Sequence, residues 1–204
     1  MSTQTAELRS RAAALSLLAL DVDGTLTDGR IYIGPQGEAM KAFNVRDGFG
    51  LTLLREAGIQ LAIITARRSE IVEQRARELA ITEVLQGAHD KGEALKSLCA
   101  RLGIALANAA FAGDDWPDLP AMSIAGLAAT VADAPEPVRA RAHWVSTRRG
   151  GEGAIRELAE FILACRGALE PALSKRLARG SMQALSGAGP GAEAGLPGAD
   201  KGRR

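Results

Sequence analysis

Two aspartates follow an apolar run near the beginning of the chain, and their type and spacing suggest chemistry. In the stretch LLALDVDGTLTDG, residues 17–29, a single valine separates Asp21 from Asp23. A buried strand holds the preceding apolar residues without cost, whereas two carboxylates held close together lose hydration and repel each other. A bound cation compensates both losses. The stretch therefore predicts a cation-assisted site at the end of a strand.

Polar residues also follow three later apolar runs. These clusters are Thr65 with Arg67 and Arg68, residues 87–91 ending in Lys91, and Gly113 followed by Asp114, Asp115 and Asp118. In a parallel sheet, ligands bind beyond the carboxyl ends of the strands, where such clusters meet. A helix cap or a solvated turn explains a single acid at a strand end. Four converging clusters instead predict one composite site.

Apolar runs typical of buried strands alternate with amphipathic helical segments along most of the chain. The predicted strands are 15–22, 59–65, 82–87, 109–115, 127–133 and 143–146, and the predicted helices are 47–57, 69–79, 90–102, 117–125, 135–141 and 152–166. This alternation predicts an α/β fold with a Rossmann-like, doubly wound, mostly parallel sheet. A short β-hairpin insertion at about 29–45 follows the first strand, and it is too small to be a large cap domain.

The composition divides the chain into three parts. Residues 1–14 are predicted to form an N-terminal arm, either frayed or as a short helix, and residues 15–167 are predicted to form one core domain. Residues 168–204 are rich in Gly, Ala, Pro and Ser. They are predicted to be a disordered tail after at most a short helical continuation.

Charge and hydropathy exclude several classes of partner. Lysine and arginine outnumber aspartate and glutamate by only 25 to 24, so no overall field favours nucleic acid or a membrane surface. No apolar run reaches the length of a transmembrane helix. The two cysteines, Cys99 and Cys165, are far apart and are typical of free thiols in a reducing compartment. The sequence predicts a cytoplasmic protein without nucleic-acid or membrane partners.

Four motifs give the chain a family resemblance. The stretches DVDGTLTDG, IITAR, HDKGEALK and AGDDWPDLP resemble, in order and spacing, the motifs of the haloacid dehalogenase superfamily of phosphohydrolases. The stretch KAFNVRDG narrows the resemblance to a branch that hydrolyses phosphorylated sugar acids, over about residues 17–167. The resemblance implies a Mg²⁺-dependent phosphatase acting on 3-deoxy-D-manno-octulosonate 8-phosphate in lipopolysaccharide synthesis. A nonulosonate 9-phosphate phosphatase and a phosphoryl-accepting signalling module without turnover are the alternatives.

The resemblance also implies a catalytic role for each matching residue. Asp21 would attack phosphorus and form an aspartyl-phosphate, while Asp23 would protonate the leaving oxygen and later deprotonate water. Asp21, the main-chain carbonyl of Asp23, and Asp114 would bind Mg²⁺. Thr65 would hold a phosphoryl oxygen, and Lys91 would offset negative charge.

Further residues are assigned to substrate and metal through the same resemblance. Substrate binding is expected from Asp23, Asn44, Val45, Arg46, Asp47, Gly48, Arg67, Arg75 and Lys91. The guanidinium groups in this set suit the carboxylate of a sugar acid as well as a phosphate. Asp115 and Asp118 are expected to orient the groups around the metal, with a helix cap as the alternative for Asp118.

The short insertion also concerns the assembly of subunits. Without a large cap domain the active site is open to solvent, so another part of the protein must cover it. The resemblance implies a homotetramer in which a neighbouring subunit covers each site and the hairpins pack together. Ile31, Tyr32, Ile33 and Phe43 are the apolar residues expected at that interface. The alternative is a hairpin that folds back on its own domain.

Overall fold

A six-stranded parallel sheet forms the centre of the fold, in a computed structural model that describes residues 3–186 and the side chains of 5–178. The strands are β1 (Leu17–Leu20), β2 (Tyr32–Gly34), β3 (Gly37–Met40), β4 (Gln60–Thr65), β5 (Glu83–Gln86), β6 (Ala109–Ala112), β7 (Leu127–Thr130) and β8 (Trp144–Val145). The sheet order is β5-β4-β1-β6-β7-β8, and β2 pairs with β3 as a separate antiparallel hairpin. The predicted Rossmann-like fold with a hairpin insertion is confirmed.

Helices connect the parallel strands and cover the sheet. They are α1 (Thr3–Ala13), α2 (Val45–Glu56), α3 (Glu70–Glu78), α4 (Lys91–Leu102), α5 (Leu119–Ile124), α6 (Glu136–Arg139), α7 (Ala154–Cys165) and α8 (Leu169–Ser186), with single 3₁₀ turns at Leu106–Asn108 and Trp116–Asp118. Leu17 and Ala19 of β1 pack with Leu95 and Leu98 of α4 in one buried cluster. Helix α7 contacts both α1 and α2. Because all four β1 residues are buried, this strand is held in the middle of the core.

Local sequence signals set the ends of the helix that carries Lys91. Asp90 stands before α4, and its Oδ1 accepts the N–H of Glu93 at 2.9 Å. Gly103 ends the helix in the left-handed region, at φ 67°, where an L side chain would be strained. The cap fixes where α4 begins and so fixes the height of Lys91 above the sheet.

The terminal segments lie at the edges of what the structure describes. Helix α1 occupies most of the predicted N-terminal arm. Helix α8 extends over 18 residues, further than the short continuation that was expected, because its alanine, leucine, lysine and arginine are strong helix formers. It runs into a second compact unit that begins at Pro171. Residues 187–204 lie outside the described residues, so their predicted disorder, like the boundaries of the core domain, stays a prediction.

Membrane-spanning helices and disulfides can be judged for the described residues. None of their helices combines the length and the apolar character needed to cross a bilayer. Cys99 and Cys165 are free thiols, and Cys99 is buried.

Candidate active site

The carboxyl ends of three neighbouring strands bring the predicted catalytic residues to one edge of the sheet. Asp21 directly follows β1, which lies between β4 and β6. Thr65 is the last residue of β4 and is buried, and Asp114 comes two residues after β6. The N–H of Asp21 donates to the carbonyl of Ala112 at 2.9 Å. Parallel pairing in register therefore places segments that are distant in the sequence side by side.

Three carboxylates form a compact cluster at this edge. One oxygen each of Asp21, Asp114 and Asp118 lies within 4.8 Å of the others. Burial, followed by the charge of Asp118, raises the pKa of Asp21 to about 6 even though Lys91 opposes the shift. Burial and the charges of Asp21 and Asp118 raise the pKa of Asp114 to about 8. Carboxylates whose ionisation is suppressed in this way fit a divalent cation, which favours their charged form.

Lys91 supplies the positive charge that the chain itself brings to the cluster. Its side chain is buried at the first turn of α4, with Nζ 2.7 Å from Asp21 Oδ1 and 2.6 Å from Asp118 Oδ1. Burial lowers the pKa of Lys91, but the two carboxylates outweigh that effect and hold it above its ordinary value. The ammonium group therefore stays charged beside the predicted nucleophile.

Asp118 and Asp115 have different surroundings. Asp118 is buried, and its Oδ2 accepts the N–H groups of Asp114 at 2.9 Å and Asp115 at 3.0 Å. Because its other oxygen pairs with Lys91, Asp118 orients both the loop and the lysine. The exposed Asp115 accepts the N–H of Trp116 at 2.8 Å and forms a reciprocal capping box with Asp118. The described contacts of Asp115 thus stabilise the turn.

Glycine makes the approach of two of these acids possible. A Cβ on Gly24, whose φ is 96°, would lie 2.1 Å from Asp114 Oδ2. A Cβ on Gly113 would lie 2.4 Å from Asp118 Cγ. A side chain at either position would displace a carboxylate, so both glycines help to shape the cluster. The sequence analysis assigned neither a role of this kind.

Asp23 lies in surroundings different from those of Asp21. It is half-buried, its carboxylate is not part of the three-acid cluster, and it forms ion pairs with Lys41 and, at 3.5 Å, with Arg67. Lys41 also contacts Glu38 at 2.9 Å. The sequence predicted no role for Lys41, although it begins the stretch KAFNVRDG, or for Glu38, because charged residues in a hairpin are ordinarily solvated.

The structure gives Asn44 and Asp47 positioning contacts. Asn44 caps α2 by accepting the N–H of Arg46 at 2.8 Å, and its amide donates to the carbonyl of Gly151 at 3.1 Å. The buried Asp47 accepts the N–H groups of Gly153 at 3.3 Å and Arg156 at 2.7 Å. The two residues therefore tie α2 to the beginning of α7, and their predicted contacts with substrate stay a prediction.

The other residues predicted to bind substrate are spread along α2 and α3. Val45 is 81% exposed, and Arg46 is exposed beside it. The Arg75 guanidinium lies 5.6 Å from the ring centroid of Phe43 and pairs with Glu78 at 3.0 Å. A Cβ on Gly48 would lie 2.3 Å from Arg75 Nη2. Arg67 differs from Arg46 and Arg75, because among the described contacts it is the arginine that pairs with Asp23.

Comparisons with known proteins agree with this geometry. A family model described as haloacid dehalogenase-like hydrolase matches residues 78–158. A 3-deoxy-D-manno-octulosonate 8-phosphate phosphatase from Yersinia pestis is 46% identical over 162 residues, covering 79% of this chain and 87% of the relative. The protein of the same description from Escherichia coli (strain K12) is 44% identical over 167 residues, covering 82% and 89%.

Solved structures extend the similarity to the fold. The Moraxella catarrhalis 3-deoxy-D-manno-octulosonate 8-phosphate phosphatase, in complex with magnesium ion, phosphate ion and a KDO molecule, is similar with a TM-score of 0.81 at 43% identity. The match covers 83% of this chain and 97% of that one. The phosphatase from Yersinia pestis gives a TM-score of 0.78 at 45% identity, over 80% and 89% of the chains. Family model, sequence identity and fold together show that this chain belongs to the haloacid dehalogenase-like hydrolases and is a phosphatase of that family.

Proposed function

We propose that this chain hydrolyses 3-deoxy-D-manno-octulosonate 8-phosphate with Mg²⁺ as its cofactor, through an aspartyl-phosphate on Asp21. The observation that carries the proposal is the contrast between two aspartates that are two residues apart. Asp21 lies in the acid cluster beside Lys91, whereas Asp23 lies outside it among cationic side chains. Such different surroundings suit one carboxylate to attack and the other to transfer protons.

The donor set fits a magnesium ion. Carboxylate oxygens are the ligands that Mg²⁺ prefers, with water and phosphate oxygens completing its shell. Asp21, the main-chain carbonyl of Asp23, and Asp114 would hold the ion, and Asp118 would orient them through Lys91 and the backbone N–H groups it accepts. When bound, the ion draws negative charge away from the phosphoryl oxygens.

The side chains of the protein carry the two chemical steps. A carboxylate oxygen of Asp21 forms a bond to phosphorus as the bond from phosphorus to the sugar oxygen breaks, and Asp23 gives its proton to that oxygen. Water then attacks the same phosphorus, Asp23 takes back a proton, and phosphate leaves with Asp21 restored. Lys91, 2.7 Å from Asp21, offsets the charge on the attacking carboxylate. Thr65 holds a phosphoryl oxygen at the end of β4.

Arginine side chains favour a substrate that carries a carboxylate. Arg67 is 45% exposed in the loop after β4, beside the predicted proton donor Asp23. Its planar fork suits both carboxylate and phosphate oxygens. Two relatives and a ligand-bound structure whose descriptions name the octulosonate sugar support this choice of substrate.

We further propose that the active form is a homotetramer located in the cytoplasm. Ile31, Tyr32, Ile33 and Met40 of the hairpin are all exposed, and Ile33 reaches 79%. An exposed apolar surface of this kind is typical of an interface. Phe43, which was expected at the same interface, is instead partly covered by the Arg75 guanidinium. The free thiols of Cys99 and Cys165 support the cytoplasmic location, because reducing compartments keep cysteines unpaired.

Phosphate release from a substrate panel tests the proposal. The purified protein with Mg²⁺ is assayed on 3-deoxy-D-manno-octulosonate 8-phosphate, a nonulosonate 9-phosphate and a hexose phosphate. We expect the first to be hydrolysed with the highest kcat/KM, and Asp21→Asn to lose turnover while remaining folded. Equal rates on all three would overturn the proposed choice of substrate. A long-lived phosphoprotein without turnover would favour the signalling alternative.

A further inference from the structure

The hairpin carries a buried lysine that neither the predicted chemistry nor the metal cluster uses. The side chain of Lys41 is 1% exposed. Taking an ammonium group out of water is strongly unfavourable unless carboxylates pair with it. Lys41 has two such partners, Asp23 and Glu38, the latter at 2.9 Å. The burial of this charge therefore depends on the residue that is predicted to transfer protons.

Glu38 connects this ion pair to the edge of the main sheet. Besides its contact with Lys41, the Glu38 carboxylate accepts hydrogen bonds from Arg67 Nη2, at 3.4 Å, and from the hydroxyl of Ser69. The N–H of Ser69 in turn donates to the side chain of Gln86, at the end of β5, at 2.6 Å. Glu38 thus joins the hairpin to the loop after β4, and Lys41 is held from both sides.

Two cations contact Asp23, but they do not restrain it equally. Arg67 is 45% exposed and lies 3.5 Å from Asp23 Oδ2, and exposed ion pairs contribute little because water and salt screen them. Lys41 contacts the other oxygen, Oδ1, from a buried position. Removing one partner of a buried pair is far more disruptive than removing an exposed one. The orientation of the Asp23 carboxylate therefore depends mainly on Lys41.

We propose that Lys41 is a positioning residue for proton transfer, which holds the Asp23 side chain toward the leaving oxygen both when its carboxyl group gives a proton and when its carboxylate takes one back, and that Glu38 holds Lys41 in place. The inference rests on the proposed function, because it needs Asp23 as proton donor. Lys41 is not predicted to touch phosphorus, and its partners Asp23 and Glu38 lie outside the three-acid cluster. Its effect reaches the reaction through the place it gives to Asp23, and so through the step that protonates the sugar oxygen.

The dependence on the leaving group separates this role from a general structural one. A sugar alkoxide needs a proton as it leaves, whereas p-nitrophenolate leaves without one. Asp21 attacks phosphorus in both substrates. Loss of Asp23 positioning should therefore slow the first step with the sugar phosphate and spare the first step with p-nitrophenyl phosphate.

The experiment compares Lys41→Met, Lys41→Arg and Asp23→Asn with wild-type protein in Mg²⁺. Rapid mixing measures the first turnover of p-nitrophenolate, and steady-state phosphate release measures kcat and KM on 3-deoxy-D-manno-octulosonate 8-phosphate. We expect Lys41→Met to lower kcat on the sugar substrate by about 10- to 100-fold, below the full effect of general acid catalysis. KM and the first p-nitrophenolate turnover should stay near wild type, and Lys41→Arg should recover part of kcat.

Lys96→Met is the matched control, because this lysine is 65% exposed on α4; its kinetics should equal those of wild type. Equal losses of Lys41→Met on both substrates, or no loss on the sugar phosphate, would overturn the inference. If Lys41→Met does not fold, Glu38→Gln decides by the same comparison of substrates. A wild-type protein that hydrolyses neither substrate refutes the proposed function itself, whereas loss in Asp23→Asn without loss in Lys41→Met refutes the positioning role alone.

Discussion

Replacing Asp114 by asparagine should stabilise the metal-free protein at alkaline pH, although it removes a residue predicted to bind the metal. Asparagine keeps the shape of the side chain and the oxygen that accepts the Thr25 hydroxyl at 2.9 Å. It removes the charge that burial, Asp21 and Asp118 disfavour most strongly. The substitution therefore isolates the electrostatic cost of the acid cluster from its packing.

The size of the effect follows from the pKa of Asp114, which rises from 3.8 to about 8 on folding. Between these values the folded chain keeps the proton while the unfolded chain has lost it, so raising the pH favours unfolding. One pH unit corresponds to about 1.4 kcal/mol. The group then removes up to about 6 kcal/mol of stability between pH 4 and pH 8. Since the side chain is partly exposed, we expect about 2–5 kcal/mol after screening.

Urea unfolding in EDTA across this pH range measures the effect. Wild type should lose stability as the pH rises, and Asp114→Asn should lose less, with the two proteins nearly equal at pH 4. Excess Mg²⁺ should narrow the difference at pH 8, because binding to the folded wild-type protein adds about 2.7 kcal/mol at 100 times Kd and the variant binds the ion weakly. Asp90→Asn, at an exposed helix cap, is the matched control. A variant less stable than wild type at pH 8 in EDTA would refute the reasoning.

Three other substitutions test separate parts of the structure. Lys91→Met should lower the unfolding free energy of the metal-free protein by about 3–5 kcal/mol at pH 8, because it leaves two buried carboxylates without their counter-charge; urea unfolding at that pH measures the loss, and an unchanged value would contradict the pairing. Asp47→Ala should cost about 1–2 kcal/mol by leaving N–H groups at the beginning of α7 unpaired, with Asp47→Asn closer to wild type in the same assay. Ile33→Asp should dissociate the proposed homotetramer, and sedimentation velocity that still gives the mass of a tetramer would remove this surface from the interface.

Patterns within short stretches predicted most of the fold. The apolar runs that became β1, β4 and β6 are buried along nearly their whole length, so local hydrophobicity alone marks them. Gly103 ends α4 because the left-handed conformation there favours glycine. The order of strand and helix then leaves a parallel sheet as the solution that buries both faces. Acids placed directly after strands must meet at one edge, which is why Asp21 and Asp114 were predicted together.

Contacts between distant segments were beyond the reach of the same patterns. Asp47 accepts a hydrogen bond from the N–H of Arg156, which is 109 residues further along the chain. No local sequence signal distinguishes such a positioning aspartate from one that binds substrate. Asp118 is buried and accepts a hydrogen bond from Lys91, whereas Asp115 in the same loop is exposed. Two acids three residues apart in the same loop thus acquire different roles once the loop is folded.

Which segments are buried, how they alternate and which acids stand at the ends of strands all follow from neighbouring residues, so these features could be predicted before folding was considered. Which charges pair with each other, and which of them are buried, became visible only in the folded chain. It buried Lys41 between Asp23 and Glu38 and raised the pKa of Asp114 to about 8. Burial and the distance between charges are properties of the folded chain, because both depend on segments that meet only after the sheet has formed.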